Sequence, residues 1–382
     1  MGMPAPDRRG TVTDADRACG VRLYTRAPFT VGWLSGTVLP VVRRANGGGP
    51  DAVHVLRGWL HGTHVDVVGP DGAGIDWGAI ADAWDAGPLD PDTALTEATY
   101  LDRAREFGRL ENVEPPYLPV RAHGAAELLG PRPAGNGRSR LRELEEVVLR
   151  TLCRPLLSTA ERMAADPSRA TALLAEAYLA LADTHAMGPS YGTFSFRSHA
   201  EGFFAWSSPR KDPRPAFAER LARDSAQIRP AAEQCLAGEP GPSAAQWRTA
   251  FAYCAGALDN AVAEGTLTLE TLDEINGGDL TGMGPPGAPE AAPTGSEPDS
   301  EFHRTVRASG AIDTPSPWFA AYRLLLNVFY RQLPLLTVSP MQRYYMCWAV
   351  AETVDGILGQ TWQERLQSTP EPVPAQRTEA GR

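Results

Sequence analysis

Two aromatic-rich segments of the chain carry the polar side chains best suited to chemistry. In SFRSHAEGFFAW, residues 195–206, an arginine, a histidine and a glutamate stand among phenylalanines and a tryptophan. In SPMQRYYMCWAV, residues 339–350, an arginine and two tyrosines follow a Ser-Pro pair. Polar groups buried among aromatic residues need hydrogen-bond partners, so these groups could serve each other or a bound substrate. The residues concerned are Arg197, His199, Glu201, Arg343, Tyr344 and Tyr345.

Both segments have the sequence pattern of a helix N-terminus. Ser198 and Glu201 have the spacing of a capping box, with serine as the N-cap and glutamate three residues later. This pattern places His199 at the first helical position, where the helix dipole favours the neutral imidazole. In the second segment Ser339 is a good N-cap and Pro340 suits the first helical position. The plainer interpretation of each helix, taken alone, is a capped start followed by core aromatics.

The elements that would position these segments form a mainly helical C-terminal part. Apolar residues recur at helical spacing from Leu141 onward, so residues 141–367 are predicted to be a mainly helical catalytic region. A stretch rich in Gly, Pro and Glu, residues 276–301, is predicted to be a flexible insertion. The polar termini, residues 1–17 and 368–382, are predicted to be disordered tails.

The N-terminal part of the chain, residues 18–130, is predicted to be β-rich. Several runs of β-branched and aromatic residues are broken there by Gly, Pro and Asn. These runs are VRLYT, VGWLSGTVLPVV, AVHVLRGWL and HVDVV, and DWGAIADAWDAG is predicted to be a helix. The predicted fold class is therefore α+β, with the β-rich region packed on the helical part.

Composition and charge argue against several classes of protein. A net charge of −10 and a pI near 5.3 disfavour a general nucleic-acid binder, which needs a basic surface. The five cysteines are scattered without a CxxC pair, so neither a disulfide framework nor a structural zinc site is predicted. No signal-peptide core and no apolar run of membrane-spanning length is present, so we expect a cytoplasmic protein without a membrane partner.

No motif in the chain indicates a metal or a cofactor. His61 and His64 form an HxxH pair, but in an extended stretch two such residues point to opposite faces. The glycine-rich runs GGGP and GPDGAG lack the strand and helix that a nucleotide-binding loop requires, and no GxSxG nucleophile elbow occurs. We therefore expect no bound metal and no cofactor.

Taken together, the segments resemble a known enzyme family. SFRSHAEGFFAW and SPMQRYYMCWAVAE are similar to the paired motifs of thiopeptide pyridine synthases. LYTRAPFTVGW, VLRGWLHGTHVDVV and EFGRLENVEPPYLP also stand in the order expected for that family. These synthases are relatives of the glutamate-elimination domain of class I lanthipeptide dehydratases, so the resemblance implies the fold of that domain. It covers about residues 20–365.

Two departures favour the cycloaddition branch of this family over glutamate elimination. Elimination domains tend to carry a His-Leu-Arg-like strand, and here the strand reads His64-Val-Asp-Val, without the arginine. Elimination domains also tend to carry a C-terminal His-Met element, and here that element starts at Ser339 and has no histidine.

The resemblance implies a modified ribosomal precursor peptide as the substrate, with a leader and a core that carries thiazoles and two dehydroalanines. A formal aza-[4+2] cycloaddition would join the dehydroalanines, and loss of water and of the leader would give a pyridine within a macrocycle. Positioning two distant parts of one peptide can supply about 7–11 kcal/mol of the barrier. Hydrogen bonds and proton transfers would supply the rest, so the resemblance implies no cofactor.

Under this resemblance three residues are candidate catalytic groups. Tyr345 and Ser339 are expected to hydrogen-bond the reacting amide, and His199 is expected to shuttle protons. The candidate substrate-binding residues are Arg197, Glu201, Trp206, Arg343, Tyr344 and Trp59. The β-rich region is expected to hold the leader peptide at a strand edge around residues 53–60. Other thiopeptide maturation enzymes are further candidate partners.

Two alternative functions remain open from the sequence. One is the glutamate-eliminating half of a split dehydratase, which would form dehydroalanines. The other is a non-catalytic scaffold that binds the precursor peptide and recruits other enzymes, and such a scaffold would tolerate loss of His199 or Tyr345. Macrocycle size, core-peptide sequence, oligomeric state and the choice between pyridine and dehydropiperidine are also left open.

Overall fold

The computed structural model describes most of the chain between the two termini. The described residues are 18–47, 52–70, 72–111, 113–130, 138–207, 212–275, 300–310 and 317–367. The tails predicted at residues 1–17 and 368–382, and all of the predicted insertion except its last two residues, lie outside the described residues.

An antiparallel four-stranded sheet forms within residues 18–130 of the described chain. Its strands are β1 (Gly20–Tyr24), β2 (His54–Gly58), β3 (His64–Val68) and β4 (Ala126–Leu129), in the order β2-β3-β1-β4. One face buries valines and leucines against the helices, whereas the other pairs Arg22 Nε with Asp66 Oδ1 at 2.8 Å. Three of the predicted β runs therefore contain strands. The fourth strand reads AELL, which has no β-branched residue and is not predicted.

The run VGWLSGTVLPVV is helical, so its prediction as a strand is wrong. An α-helical turn, α1 (Val31–Trp33), continues through a π-helical segment (Leu34–Val38) into α2 (Leu39–Ala45). The Thr30 side chain caps the start by accepting the Trp33 N–H at 3.0 Å. The buried residues Leu34, Val38 and Val42 recur every four positions, so packing of one helical face outweighs the β-propensity of the valines.

Helices make up most of the remaining described chain. Two of them, α3 (Trp77–Asp82) and α4 (Glu97–Glu111), precede β4. The others are α5 (Arg138–Ala165), α6 (Ala170–Ala182), α7 (Pro189–Ser207), α8 (Arg214–Leu236), α9 (Pro242–Ala263), α10 (Leu269–Ile275), α11 (Glu301–Ala308), α12 (Trp318–Gln332), α13 (Pro340–Leu358) and α14 (Trp362–Gln367). The 3₁₀ turns Pro167–Arg169 and Leu333–Leu336 precede α6 and α13.

Helix α6 is central to the helical part. From Leu173 to Ala182 every residue except Glu176 is buried, because α7, α8 and α9 surround the helix. Helix α13 packs across α6, α7 and α8. One continuous apolar core runs from the inner face of the sheet through these helices. The predicted α+β class is confirmed.

Strand β2 is joined to the segment that leads into α13. At the end of α12, the Gln332 side-chain amide donates to the Val55 carbonyl at 3.4 Å. The Arg57 guanidinium donates to the Pro334 carbonyl at 2.8 Å, in the 3₁₀ turn that follows. The sheet therefore helps to fix the N-terminus of α13, where the second polar segment begins.

Candidate active site

The start of α13 has the predicted capping structure. The Ser339 hydroxyl oxygen accepts the Gln342 backbone N–H at 3.2 Å, and Pro340 occupies the first helical position. The backbone arrives through Thr337, whose φ of 59° is left-handed. Ser339 is exposed, so its own O–H proton can reach a ligand while its oxygen caps the helix.

The helix N-terminus predicted at Ser198, in the other polar segment, is wrong. Helix α7 begins at Pro189, so Ser198 is not an N-cap and His199 lies in the interior of the helix. Gly192, in the first turns of α7, packs closely on the Ala182 carbonyl at the end of α6, and a side chain at position 192 would block this contact. The Ser198 hydroxyl instead forms a hydrogen bond with His303 Nε2 on α11, at 3.0 Å.

His199 belongs to a chain of hydrogen bonds that joins three helices. Its Nδ1 lies 3.0 Å from the hydroxyl of Tyr330 on α12, and that hydroxyl lies 3.0 Å from the thiol of Cys347 on α13. The Tyr330 and Cys347 side chains are buried, whereas His199 is half-buried. Of the three groups, only the imidazole is therefore open to a ligand.

The imidazole of His199 is neutral, as predicted, but for a different reason. Burial lowers its pKa to about 3, and the electrostatic effects of Arg343, Arg323 and His303 act in the same direction. The helix dipole is not the cause, since His199 lies well inside α7. Burial also raises the pKa of Cys347 to about 11 and that of Tyr330 well above its ordinary value. All three groups of the chain are uncharged near pH 7.

Arg343 and Tyr344 lie beside this chain. The Arg343 guanidinium carbon is 5.2 Å from the centre of the Tyr330 ring and 4.8 Å from that of Tyr344, distances typical of cation–π contacts. Tyr344 is buried and stacks on Phe203 of α7, with ring centres 4.5 Å apart. Arg343 is half-buried and thus supplies positive charge next to His199.

Tyr345 faces a different helix. Its hydroxyl donates to Asp224 Oδ2 on α8 at 2.8 Å, and the Arg220 guanidinium carbon lies 3.9 Å from its ring centre. Burial and the contact with Asp224 raise its pKa, so the phenol keeps its proton. The side chain is 0% exposed, whereas the Arg220 side chain that covers it is 35% exposed. A ligand can therefore reach Tyr345 only when Arg220 moves.

The predicted residues thus form two polar groups on opposite sides of α13. Residues 343 and 345 lie about 200° apart around a helix of 3.6 residues per turn. A layer of aromatic rings lies between the groups, in which Phe203 packs against Phe217 with ring centres 6.0 Å apart, and Phe217 packs against Tyr345 at 5.5 Å. A ligand that touches both groups must therefore reach from one side of α13 to the other.

Arg197 lies in an internal ion-pair network. Its guanidinium donates to Glu352 and to Asp355 of α13, each at 2.7 Å, and its side chain is 3% exposed. Asp355 also pairs with Arg365 of α14. This network joins α7, α13 and α14, and Arg197 uses two of its nitrogens within the protein rather than for a ligand.

The remaining predicted contact residues lie in separate places. Glu201 accepts a hydrogen bond from Arg214 at 3.0 Å, near the start of α8. Trp206 lies in the last turn of α7, and its side chain is outside the described part of the structure. Trp59 follows β2 and packs against Phe107 and Tyr117, with ring centres 5.7 Å and 5.6 Å away.

Several residues of the site are not identified by the sequence reasoning. Tyr330, Cys347 and Asp224 are hidden among apolar residues of long helices, and no local pattern separates them from core positions. The i, i+4 spacing of Arg220 and Asp224, which pair at 3.2 Å, is a signal that could have drawn attention to α8.

Three further features concern ligands and membranes. Within the described ranges, no three His, Cys, Asp or Glu side chains are arranged to hold a metal ion. No helix among the described residues has the length and apolar character that crossing a bilayer requires. An open cleft of about 490 Å³ lies between α6 and α8, and its lining includes none of the predicted site residues.

Comparison with solved structures identifies proteins that share the fold of this chain. No protein-family model and no curated protein matches the chain. Among solved structures, it is similar to TbtD, a pyridine synthase from thiomuracin biosynthesis, with a TM-score of 0.61 and 18% sequence identity. That match covers 90% of this chain and 99% of the TbtD chain. The chain shares its fold with a pyridine synthase.

A second solved structure agrees with this assignment. TsrL superposes with a TM-score of 0.56 and 16% identity, over 92% of this chain and 99% of its own. At such identities the likeness concerns the fold alone. The resemblance to pyridine synthases inferred from the order of the motifs is confirmed at that level, over nearly the whole chain.

Proposed function

We propose that the protein is a cofactor-independent pyridine synthase of thiopeptide biosynthesis, acting on a precursor peptide that carries two dehydroalanines. The observation that carries this proposal is the fold shared with the pyridine synthase TbtD over 90% of this chain. The candidate groups suit the reaction, because His199 and Tyr345 are neutral groups that form hydrogen bonds near pH 7.

The proposed reaction needs no oxidant or reductant. The four-atom partner is one dehydroalanine alkene with the adjacent amide in its iminol form, and the second alkene supplies two atoms. Two carbon–carbon bonds form, one between the two methylene carbons and one between the iminol carbon and the α-carbon of the second dehydroalanine. Loss of water and of the leader peptide as its amide then gives the aromatic pyridine. Both losses are eliminations, so proton transfers and positioning account for the chemistry.

Ser339 and Tyr345 would act on the reacting amide. The Ser339 oxygen accepts the Gln342 N–H, so the serine hydroxyl can donate its proton in a hydrogen bond to the iminol nitrogen. The Tyr345 proton is held by Asp224, so the phenol oxygen is an acceptor for the iminol hydroxyl once Arg220 moves aside. These two contacts would stabilise the iminol relative to the amide. The cycloaddition requires the iminol.

The separation of the two polar groups favours a large substrate. His199 with Arg343 and Tyr345 with Asp224 lie on opposite sides of α13. A peptide that folds back on itself to bring two dehydroalanines together is long enough to contact both groups and the exposed cap residue between them. Arg343 would donate hydrogen bonds to backbone carbonyls of this peptide, because a guanidinium group has donors and no acceptor.

The leader peptide would bind at the outer edge of β2 and at Trp59. Strand β2 is the last strand on its side of the described sheet, and its Val55 carbonyl already accepts from Gln332. The edge beyond Val55, towards Trp59, is therefore where a leader strand would add. Fluorescence anisotropy with a labelled leader peptide tests this, with Trp59→Ala expected to weaken binding while circular dichroism shows that the variant is folded. Full affinity in that variant would rule out Trp59 as a contact.

The deciding experiment uses a synthetic leader–core peptide with thiazoles and two dehydroalanines, analysed by mass spectrometry. The proposed synthase releases the leader peptide and loses water from the core. A matched peptide with alanine in place of one dehydroalanine should remain unchanged. A glutamylated-serine peptide is the parallel substrate, and glutamate loss from it would identify the eliminating alternative. Binding of both peptides without a change in mass would identify the scaffold alternative.

A further inference from the structure

The contacts among His199, Tyr330 and Cys347 allow two proton arrangements, and the buried Tyr178 hydroxyl of α6 also lies near the Cys347 thiol. In the first, the Tyr330 hydroxyl donates to His199 Nδ1 and the Cys347 thiol donates to the Tyr330 oxygen. In the second, His199 Nδ1–H donates to the Tyr330 oxygen and the hydroxyl donates to the Cys347 sulfur. The distances, 3.0 Å for each contact, allow both arrangements.

The chemistry of the three groups favours the first arrangement. An unprotonated imidazole nitrogen is the best acceptor of the three, a phenol is a strong donor, and a thiol is weak in both roles. The first arrangement places the phenol proton on the imidazole nitrogen, whereas the second directs it to sulfur, the poorest acceptor. Because the Tyr330 and Cys347 side chains are buried, water does not compete with these contacts.

The other ring nitrogen of His199, Nε2, takes no part in this hydrogen-bond chain. Among the described residues, no hydrogen-bond partner lies at Nε2 of His199. The charged and titratable groups around the ring are Arg323 and Tyr330 of α12, Arg343 and Cys347 of α13, and His303 of α11. The cations among them oppose protonation of the imidazole. The ring therefore carries one proton, and its position depends on Tyr330.

We propose that Tyr330 and Cys347 hold His199 in the neutral tautomer that carries its proton on Nε2, so that His199 is a fixed hydrogen-bond donor to the substrate. This inference rests on the proposed function for the identity of the substrate, but the tautomer itself does not. It replaces the proton shuttle expected from the family resemblance, because Nδ1 is blocked by Tyr330 and Nε2–H cannot accept a proton. Tyr330 is a positioning residue. The Cys347 thiol orients the Tyr330 hydroxyl by donating to its oxygen.

A fixed neutral donor suits the carbonyl oxygen of the leader amide, which gains negative charge as the C–N bond to the second dehydroalanine breaks. A charged imidazolium would donate more strongly, but it would also protonate the iminol nitrogen and remove the reactive partner. A neutral donor stabilises the developing charge without transferring its proton. The same donor cannot start a glutamate elimination, which requires a base to remove an α-proton.

Nitrogen-15 NMR of the histidine-labelled full chain measures the tautomer directly. The protein has seven histidines, and the His199 signals are those lost in His199→Gln. We expect Nε2 to be protonated and Nδ1 unprotonated in the wild type, and Tyr330→Phe to shift population towards the Nδ1–H form. A wild-type signal with the proton on Nδ1 would overturn the proposal, as would a Tyr330→Phe spectrum identical to that of the wild type.

Turnover of the leader–core peptide tests the donor role. His199→Ala removes the donor and is expected to slow turnover by about 100-fold, as for the loss of one donor in a catalytic site. The side-chain nitrogen of glutamine reaches the position of Nε2, so His199→Gln is expected to keep most of the activity. Equal loss in both variants overturns the donor role. If the wild type does not cyclise the peptide but the NMR result holds, the proposed function fails and the assigned tautomer stands, so the two failures are distinguishable.

Discussion

At the scale of the residue, three consecutive side chains of α13 contact three different neighbours. Arg343 lies against Tyr330 of α12, Tyr344 stacks on Phe203 of α7, and Tyr345 donates to α8. Successive helical residues point about 100° apart, so adjacent positions in sequence serve separate tasks. Substitutions at positions 343 and 345 should therefore have separable effects.

Tyr345→Phe tests the residue with the most specific proposed contact. Removing the hydroxyl leaves Asp224 paired with Arg220 at 3.2 Å, so the free energy of unfolding should fall by only about 1 kcal/mol. If the phenol oxygen accepts the iminol hydroxyl, cyclisation should slow by about 100-fold or more. Mass spectrometry under single-turnover conditions measures this rate. The matched control is Tyr253→Phe, because Tyr253 is 64% exposed on α9, and wild-type rates in both variants would remove Tyr345 from the mechanism.

The sequence indicates the accessible polar residues of the candidate site but not the residues that contact them within the fold. His199 and Ser339 are marked by their residue types within aromatic segments, and both are at least partly exposed. Tyr330 is 131 positions from His199, and only the packing of α12 against the neighbouring helices brings the two together. No local pattern specifies such a contact. The sequence predicts a neutral His199 although its capping pattern places the residue at the wrong point of the helix.

At the scale of the element, Ser339 combines a structural and a proposed catalytic role that two variants separate. Ser339→Ala removes the N-cap of α13 and should lower the free energy of unfolding by about 1 kcal/mol. Ser339→Asp keeps a capping oxygen next to the positive end of the helix and should restore that stability. Urea denaturation measures both.

The same pair of variants tests the catalytic part. An aspartate cannot donate the hydroxyl proton that we assign to the substrate contact, so Ser339→Asp should be stable but slow in cyclisation. Wild-type turnover by Ser339→Asp would leave Ser339 with capping as its only role.

Arg197 joins α7 to α13, and its replacement tests whether the residue acts in stability or in binding. Arg197→Leu breaks a buried ion pair with Asp355, so the free energy of unfolding should fall by about 3–5 kcal/mol. Arg43→Leu is the matched control, because its pair with Glu161 is exposed and should contribute at most about 1 kcal/mol. Thermal unfolding compares the two. A stable Arg197→Leu protein with weakened peptide binding would instead support the substrate contact predicted from the sequence.

Errors at this scale have a common physical cause. The helical run from Val31 to Ala45 contains valines, threonine and glycine, and the first turns of α7 contain serine, glycine and threonine. Each of these residues is a poor helix former on its own. Both segments are helical because their apolar residues recur on one face and that face is buried, for instance at Phe196, Ala200 and Phe203 of α7. Local composition therefore predicts the wrong element in the first segment and the wrong helix start in the second.

At the scale of the whole molecule, the arrangement of sheet and helices was predictable and the geometry between them was not. The order of the motifs along the chain indicated the fold, and the solved structures with 16–18% identity agree with it. The packing of α13 across α6, α7 and α8 depends on contacts between distant residues. This packing divides the predicted site into two polar groups. That division cannot be inferred from the order of the motifs along the chain.

Three histidines with lowered pKa values predict that the protein loses stability in mild acid. Burial lowers the pKa of His64 and His185 to about 4 and that of His199 to about 3, against about 6.5 in the unfolded chain. Between pH 6.5 and about pH 4 the unfolded state binds protons that the folded state does not, so the free energy of unfolding falls as the pH falls. Each histidine contributes at most about 1.4 kcal/mol per pH unit. Urea denaturation near pH 7 and near pH 5 measures the loss, which should be smaller in His199→Gln because glutamine does not titrate. Equal losses in the variant and the wild type would mean that His199 is already protonated in the folded protein near pH 5, contrary to the neutral imidazole on which the donor role depends.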